Sequence, residues 1–258
     1  MSSSDMQSLH ERYSVQALWT EELRIRLLNR INLPPHPRVL EVGSGTGCVS
    51  SWASNQINTQ VLGIDIYRPV LQFAQAQDTN SGYAQADGAA LPFPTGTFDL
   101  VFCHFLLLWT PDPGQILDEM KRCTRPQGWL MAFAEPDYGG RIDYPAELGE
   151  LGEYQTRALE QNGAYVNCGR QLKGLLAETG LQQVQAGLLG GEWGVDPPSD
   201  LHSEWAVLRA DLTGNMSDDK LNELETLDRN AWREQKRILF VPTFYALGQK
   251  ISQDDPPL

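Results

Sequence analysis

Arg38-Val39-Leu40-Glu41-Val42-Gly43-Ser44-Gly45-Thr46-Gly47 reads as a buried strand that carries an acid near its end and breaks into a glycine turn. Glycine adopts positive φ without strain and has no Cβ, so a ligand can come close to the backbone. A helix that starts just after such a turn aims its unpaired N–H groups and positive dipole end at the same point. The turn therefore suits a small anionic or zwitterionic ligand. It departs from the dinucleotide fingerprint G-x-G-x-x-G, which needs a glycine where the chain has Cys48; the third glycine arrives one residue early, at Gly47. The spacing counts against NAD and FAD.

Working outward, three further apolar runs follow in order. Val61-Leu62-Gly63-Ile64-Asp65 ends in an acid about twenty residues after the turn, the distance at which a Rossmann-type unit sets a carboxylate on ribose hydroxyls. Tyr83-Ala84-Gln85-Ala86-Asp87-Gly88 is closed by a second acid, and Leu91-Pro92-Phe93-Pro94 then leads into Phe98-Asp99-Leu100-Val101-Phe102-Cys103-His104. Asp-Gly is also a common turn pair, so Asp87 reads either as a turn residue or as a ligand. Asp99 reads as a turn or strand-start residue and Gly47 as a helix-packing position. His104 reads either as a satisfied structural histidine or as a site residue.

This series resembles the class I S-adenosylmethionine-dependent methyltransferases, whose pattern runs E/D-x-G-x-G-x-G, a strand-end acid, D-x-x-x-L-P-F and F-D-x-V. The resemblance covers about Pro37 to Ala134. It implies an α/β fold: a Rossmann-like, doubly wound, seven-stranded sheet with its last strand antiparallel and helices on both faces. It also implies S-adenosyl-L-methionine as cofactor and S-adenosyl-L-homocysteine as product. Gly43 and Gly45, with Ser44 between them, would meet the methionine part, and Glu41 would steady that loop or the amino group. Asp65 would take the ribose, Ile66 would pack on the adenine, and Asp87 with Gly88 would meet its amino edge. Cys103 and His104 would end the fourth strand beside the sulfonium.

A formal net charge of -13 over 258 residues, with no Lys/Arg cluster, opposes a nucleic-acid partner. Cys48, Cys103, Cys123 and Cys168 have no C-x-x-C spacing and read as reduced thiols; no metal is expected. The start lacks a basic n-region and apolar h-region, and no apolar run is long enough to cross a bilayer, so a soluble, cytoplasmic protein is expected. Nothing in the sequence sets an oligomeric state.

Trp19, Leu23, Leu27 and Ile31 recur every fourth residue, an apolar helical stripe stopped by Pro34, Pro35 and Pro37. Residues 1–33 are expected to form a lid helix, with Tyr13 and Gln16 facing the site or Tyr13 packed on the sheet. Later helices are expected over Asp112 to Cys123, Ala146 to Asn162 and Arg170 to Thr179, with strands over Gly128 to Ala134, Leu181 to Trp193 and Thr243 to Gln249. The core is thus expected over residues 37–195 and 238–250. Residues 196–237, with helices Leu201 to Leu212 and Asp218 to Gln235, form a helical insertion between the last two strands, serving as substrate cap, oligomer contact or scaffold. Open α/β sheets bind ligands beyond the carboxyl ends of their strands, which places Glu135, Asp137 and Tyr138 on the substrate side. Tyr144, in the turn-rich Gly139 to Pro145, and Trp205 add aromatic surface for enclosing an acceptor.

The implied activity is methyl transfer to O, N or C of a small, partly apolar metabolite. Protein or RNA methylation is the alternative among enzymes, and a non-catalytic S-adenosylmethionine-binding regulator the alternative from another class. A base is optional: His104 has the ordinary pKa for that work, whereas Glu135 needs its pKa raised by burial.

Overall fold

The computed structural model of the chain describes residues 3–194, 201–212 and 214–251. In chain order the strands are β1 (Val39–Val42), β2 (Val61–Asp65), β3 (Gly82–Gln85), β4 (Phe98–Cys103), β5 (Thr124–Pro136), β6 (Ile142–Tyr144), β7 (Gln182–Leu189), β8 (Ile238–Phe240) and β9 (Thr243–Gln249). The helices are α1 (Ser3–Trp19), α2 (Glu21–Leu28), α3 (Cys48–Ile57), α4 (Arg68–Gln77), α5 (Pro113–Cys123), α6 (Gly149–Gln161), α7 (Cys168–Glu178), α8 (Leu201–Leu212) and α9 (Asp218–Arg233).

Seven strands form one sheet in the order β3-β2-β1-β4-β5-β9-β7. The first five pair in parallel, and β9 lies antiparallel between β5 and β7. All residues of β1 and β4 are buried, as expected of strands covered on both faces. Alternate side chains sort to opposite sides. Leu40, Val42, Val101, Leu130 and Ala132 meet Ile116, Leu117 and Met120 of α5 and Leu172 and Leu176 of α7. Val39, Leu100, Phe102, Met131 and Phe133 meet Leu23 and Leu27 of α2 and Val49 and Ala53 of α3. The chain leaves β1 in opposite directions to β2 and β4, so the crevice at their carboxyl ends is the topological switch point, where such sheets hold ligands.

Three expectations need correction. The N-terminal stripe is not one helix: the chain breaks at Thr20 (φ -111°, ψ 5°), whose N–H donates to the Ala17 carbonyl at 3.3 Å and whose hydroxyl oxygen lies between that carbonyl and His104. Leu23, Leu27 and Ile31 are buried, but the break rotates Trp19 out to 52% exposure. Second, Ile142–Tyr144 is no mere loop but pairs antiparallel with β8. The ribbon is inverted in polarity: Asp143 is turned inward between Arg141 and Arg237, while Ile142 and Tyr144 are exposed.

Third, Trp205 is an interior residue. It is 2% exposed and packs with Leu148, Leu151 and Ala158 at and near α6 and with Leu212, Leu221 and Leu224 of α8 and α9, its indole N–H donating to Asp228. Both expected insertion helices are present, and they build a small second core with α6. The insertion's first residues, Asp196 to Asp200, lie outside the described residues. No helix among the described residues is long and apolar enough to cross a membrane.

Candidate active site

The glycine turn joins β1 to α3, with Gly43, Gly45 and Gly47 all at positive φ. Each lacks a Cβ for a steric reason. A Cβ on Gly43 would stand 2.6 Å from Leu106 Cδ1, one on Gly45 3.2 Å from Tyr13 Cε2, and one on Gly47 2.4 Å from Tyr83 Oη. Gly47 is thus the packing position expected, at the N-terminus of α3. Leu106 and Tyr13 lie over the turn, so a ligand approaching its backbone has to displace them.

Beneath the turn lies a closed polar cluster. Glu41 is 2% exposed and accepts from the Ser50 hydroxyl; burial pushes its pKa up to about 8, against the opposing pull of Ser50 and Arg24. Gly63 has no side chain because a Cβ there would press on Ser44 and Ser50 within 2.9 Å. Ser44 Oγ therefore points down into this cluster, buried and without a partner. The N–H groups of Gly43 and Ser44 both donate to the Ile64 carbonyl at 2.8 Å, and that of Gly45 to Asp65 Oδ2 at 3.0 Å. Those backbone donors serve the loop's own shape.

Asp65 ends β2 at the rim of the crevice. Its second oxygen accepts from the Tyr67 N–H at 2.9 Å, so one carboxylate ties both loops while keeping lone pairs for a further donor. Ile66 beside it is 66% exposed. Asp87 is exposed and accepts from the Ala89 N–H at 2.9 Å, a turn geometry that leaves its other oxygen open. Gly88 is needed for packing, since a Cβ there would meet Val42 Cγ1 at 2.9 Å. Asp99 is structural: buried, it accepts from the Arg38 N–H at 2.8 Å and pairs with Arg125.

At the carboxyl end of β4, Cys103 is fully buried on the α5/α7 side, its thiol 3.9 Å from Glu135 and pushed well up by burial. His104 turns to the opposite side, with Nε2 2.8 Å from Thr20 Oγ1. Burial, followed by the Arg24 charge, pushes its pKa down to about 3, so the ordinary value read from sequence does not hold here. Glu135 and Asp137, placed on the substrate side by the end of β5, are turned inward. Glu135 is 0% exposed and accepts the N–H groups of Leu106 and Leu107 at 3.0 Å and Leu108 at 3.2 Å, which caps the short 3₁₀ turn Leu107–Trp109. Burial lifts its pKa to about 7 against those three donors. Asp137 is 1% exposed and holds Arg170 through both oxygens. Tyr138 is half-buried against the α5/α7 core, and Tyr144 stands on the exposed face of the ribbon.

The residues of α1 that close over the turn went unread in the sequence, Tyr13 apart. His10 Nδ1 lies 3.0 Å from Thr46 Oγ1 and 3.4 Å from Cys48 Sγ, and Ser14 Oγ lies 3.3 Å from the same sulfur. With Met6 packed on Val70 and Leu71, α1 is latched across the turn. The spacing Met6, His10, Tyr13/Ser14, Ala17 was the available signal: it is one helical face.

Residues 40–132 match the family profile described as "Methyltransferase domain". The chain is 33% identical over 47% of its length to a malonyl-[acyl-carrier protein] O-methyltransferase of Halorhodospira halophila, covering 43% of that protein. It is 30% identical over 46% of its length to a demethylmenaquinone methyltransferase of Renibacterium salmoninarum, covering 51% of it. Residues 40–132 thus form a class I S-adenosylmethionine-dependent methyltransferase domain. The chain spans about half the length of these relatives. Among solved structures, a putative methyltransferase from Bacillus halodurans superposes with a TM-score of 0.61 at 16% identity, over 90% of this chain and 100% of the other. A phosphoethanolamine N-methyltransferase of Haemonchus contortus, solved with S-adenosylhomocysteine, gives 0.58 at 16% identity over 90% of this chain and 53% of the other. These likenesses show the same fold well beyond residues 40–132.

Proposed function

We propose that the protein transfers the methyl group of S-adenosyl-L-methionine to a small, partly apolar metabolite. The observation that carries the reading is the junction of the glycine turn with Asp65 at the switch point, roofed by α1. The residues fit the cofactor's parts. Asp65 keeps acceptor capacity for a ribose diol, the exposed Ile66 offers an apolar shelf for adenine, and Asp87 has an open oxygen for the amino edge. Glu41 acts from below, setting the loop through Ser50. Ser44 and Cys103 contribute through backbone, since their side chains face the interior.

The sulfonium supplies an activated methyl group. What the chain has to add is alignment and exclusion of water, effects worth up to ~7 to 11 kcal/mol. Helix α1, latched over the turn, is suited to that role once it has lifted to admit the cofactor. We assign residues 1–33 to the lid, and the α8–α9 insertion with the ribbon and Tyr138 to the acceptor side. A strongly acidic chain suits a metabolite better than RNA, and we place the reaction in the cytoplasm.

Calorimetry with S-adenosylmethionine, S-adenosylhomocysteine and NAD tests the cofactor. Micromolar binding of the first two and none of the third is expected, and the reverse pattern would sink the proposal. Incubation of protein and methyl-labelled cofactor with a metabolite extract then tests turnover. Binding without any labelled product would favour the non-catalytic alternative.

A further inference from the structure

Arg24 is a fully buried cation, 1% exposed, in the apolar layer between α2, α3 and the sheet. Its guanidinium lies 4.2 Å over the Trp52 ring and its Nε has no partner. A buried, incompletely paired charge is costly compared with an apolar residue of the same volume, so its contacts point to a task other than stability. Nη1 donates to the Ala17 carbonyl and to Thr20 Oγ1, each at 2.8 Å, and Thr20 Oγ1 lies 2.8 Å from His104 Nε2.

The hydroxyl of Thr20 has one proton to give. One destination is the Ala17 carbonyl at 3.2 Å, which already accepts from Arg24 Nη1 and from the Thr20 N–H. The other is His104 Nε2, closer and unshared. A guanidinium donating into the hydroxyl oxygen makes that hydroxyl a better donor, so the chain runs Arg24 to Thr20 to Nε2. His104 then carries its own proton on Nδ1, which has no partner among the described residues.

We propose that His104 is a neutral hydrogen-bond donor rather than a base, with Thr20 and Arg24 as its positioning residues, and that the methyl acceptor is therefore one that arrives as an oxyanion: a carboxylate, an acidic phenol or an enol. The inference rests on the methyltransferase reading. Its balance is simple. An oxygen lone pair forms the O–CH₃ bond, the S–CH₃ bond breaks with its pair going to sulfur, and no proton is released. No base is required. Among the described residues at the ends of β4 and β5 and in the roof, His104 Nε2 is occupied, Glu135 is sealed beneath three N–H donors, and Tyr13 has its phenol pushed up by burial. Charge acts on His104 from Arg24, beside which lie Glu21 on α2 and, on β1, Glu41, itself held protonated by burial up to about pH 8.

The test uses the full chain with methyl-labelled cofactor, a graded series of arylacetic acids and substituted phenols, and matching arylamines. Labelled esters and ethers are expected, and the acid limb of log kcat/KM should move with the acidity of the acceptor. A limb fixed at one pH for every acceptor, methylation confined to amines, or no methylation of any acid would overturn the inference. Thr20→Val should lower kcat about tenfold while leaving the KM for cofactor within about twofold, and Thr20→Ser should restore it. Imidazole ¹⁵N spectra should show His104 protonated on Nδ1 and neutral from pH 8 to 5, with the Nδ1 preference lost in Thr20→Val. An Nε2-protonated ring in the parent chain would also refute it. Cofactor binding in calorimetry separates the two readings, since its absence defeats the methyltransferase proposal, whereas bound cofactor with N-methyl products defeats this inference alone.

Discussion

Glu41 shows how one side chain can be legible in place yet not in state. Its position at the end of β1 follows from the strand pattern, but its protonation depends on the enclosure by Ser44, Ser50 and Gly63, which meet only in three dimensions. With its pKa lifted from 4.5 to about 8, the folded protein holds a proton that the unfolded chain releases. The group's contribution to stability is present below pH 4.5 and lost as pH rises through 8. His104 acts in the opposite direction between about 3 and 6.5. Glu41→Gln keeps the neutral form at every pH. Thermal melts of parent and variant at pH 5, 7 and 8.5 should show the variant gaining on the parent as pH rises, and a constant difference would mean that Glu41 is ionised throughout. Asp65 was readable in place, at the end of β2. Asp65→Ala should weaken cofactor binding by roughly 10- to 150-fold in calorimetry, the range for hydrogen bonds to a charged group. Glu135 and Asp137 were readable in place alone, because a strand-end acid turns toward whichever donors lie nearest, here the N–H groups of residues 106–108 and the Arg170 guanidinium.

Among the elements, strands and helices with a local cue were legible. Asp112, which accepts from the Gln115 N–H, starts α5, and Gly180 at φ 75° ends the segment that holds α7. The break between α1 and α2 was not, since a four-residue repeat through Trp19, Leu23 and Leu27 looks continuous and the break depends on Thr20 bonding to Ala17 and His104. The turn into α3 gives a contrast between two glycines. At Gly47 a Cβ would be at 2.4 Å from Tyr83 Oη and 3.0 Å from Ala74 Cβ, in a backbone at φ +83°. Gly47→Ala should cost at least ~1 to 2 kcal/mol from the left-handed backbone alone, with the clash added. Gly149, at φ -57° with open space around it, should accept alanine with a gain of ~0.4 to 1 kcal/mol. Denaturant midpoints measure both, and equal effects at the two sites would mean that the turn relaxes freely.

Over the whole molecule the chain makes two kinds of core. The sheet's two apolar layers could be foreseen from nearly unbroken apolar runs, whereas the ribbon could not, because Asp143 and Arg237 meet across 94 positions with no turn between them to read. That second unit is organised by buried charge. Arg237 pairs with Asp143 at 2.7 Å and Asp228 at 2.6 Å, Arg141 joins Asp143 at 2.6 Å, and Trp205 donates to Asp228 at 2.9 Å. A one-residue slip of β6 against β8 would turn Asp143 out and bring Ile142 and Tyr144 in, which apolar burial alone would favour. The ion pairs therefore fix the register against that pull. Arg237→Met leaves Asp143 with Arg141 alone and buried Asp228 without its ion-pair partner, and should destabilise the unit by about 3 to 5 kcal/mol. Because α8, α9 and the ribbon pack chiefly on α6 and on each other, the loss should appear as faster hydrogen exchange confined to residues 142–161, 201–212 and 218–240. Protection of β1, β4 and β5 and the affinity for cofactor should stay within about twofold of the parent. If exchange in the central sheet rose in step, the insertion would be one cooperative unit with the central sheet, and its description as a second unit organised by its own buried charge would be wrong.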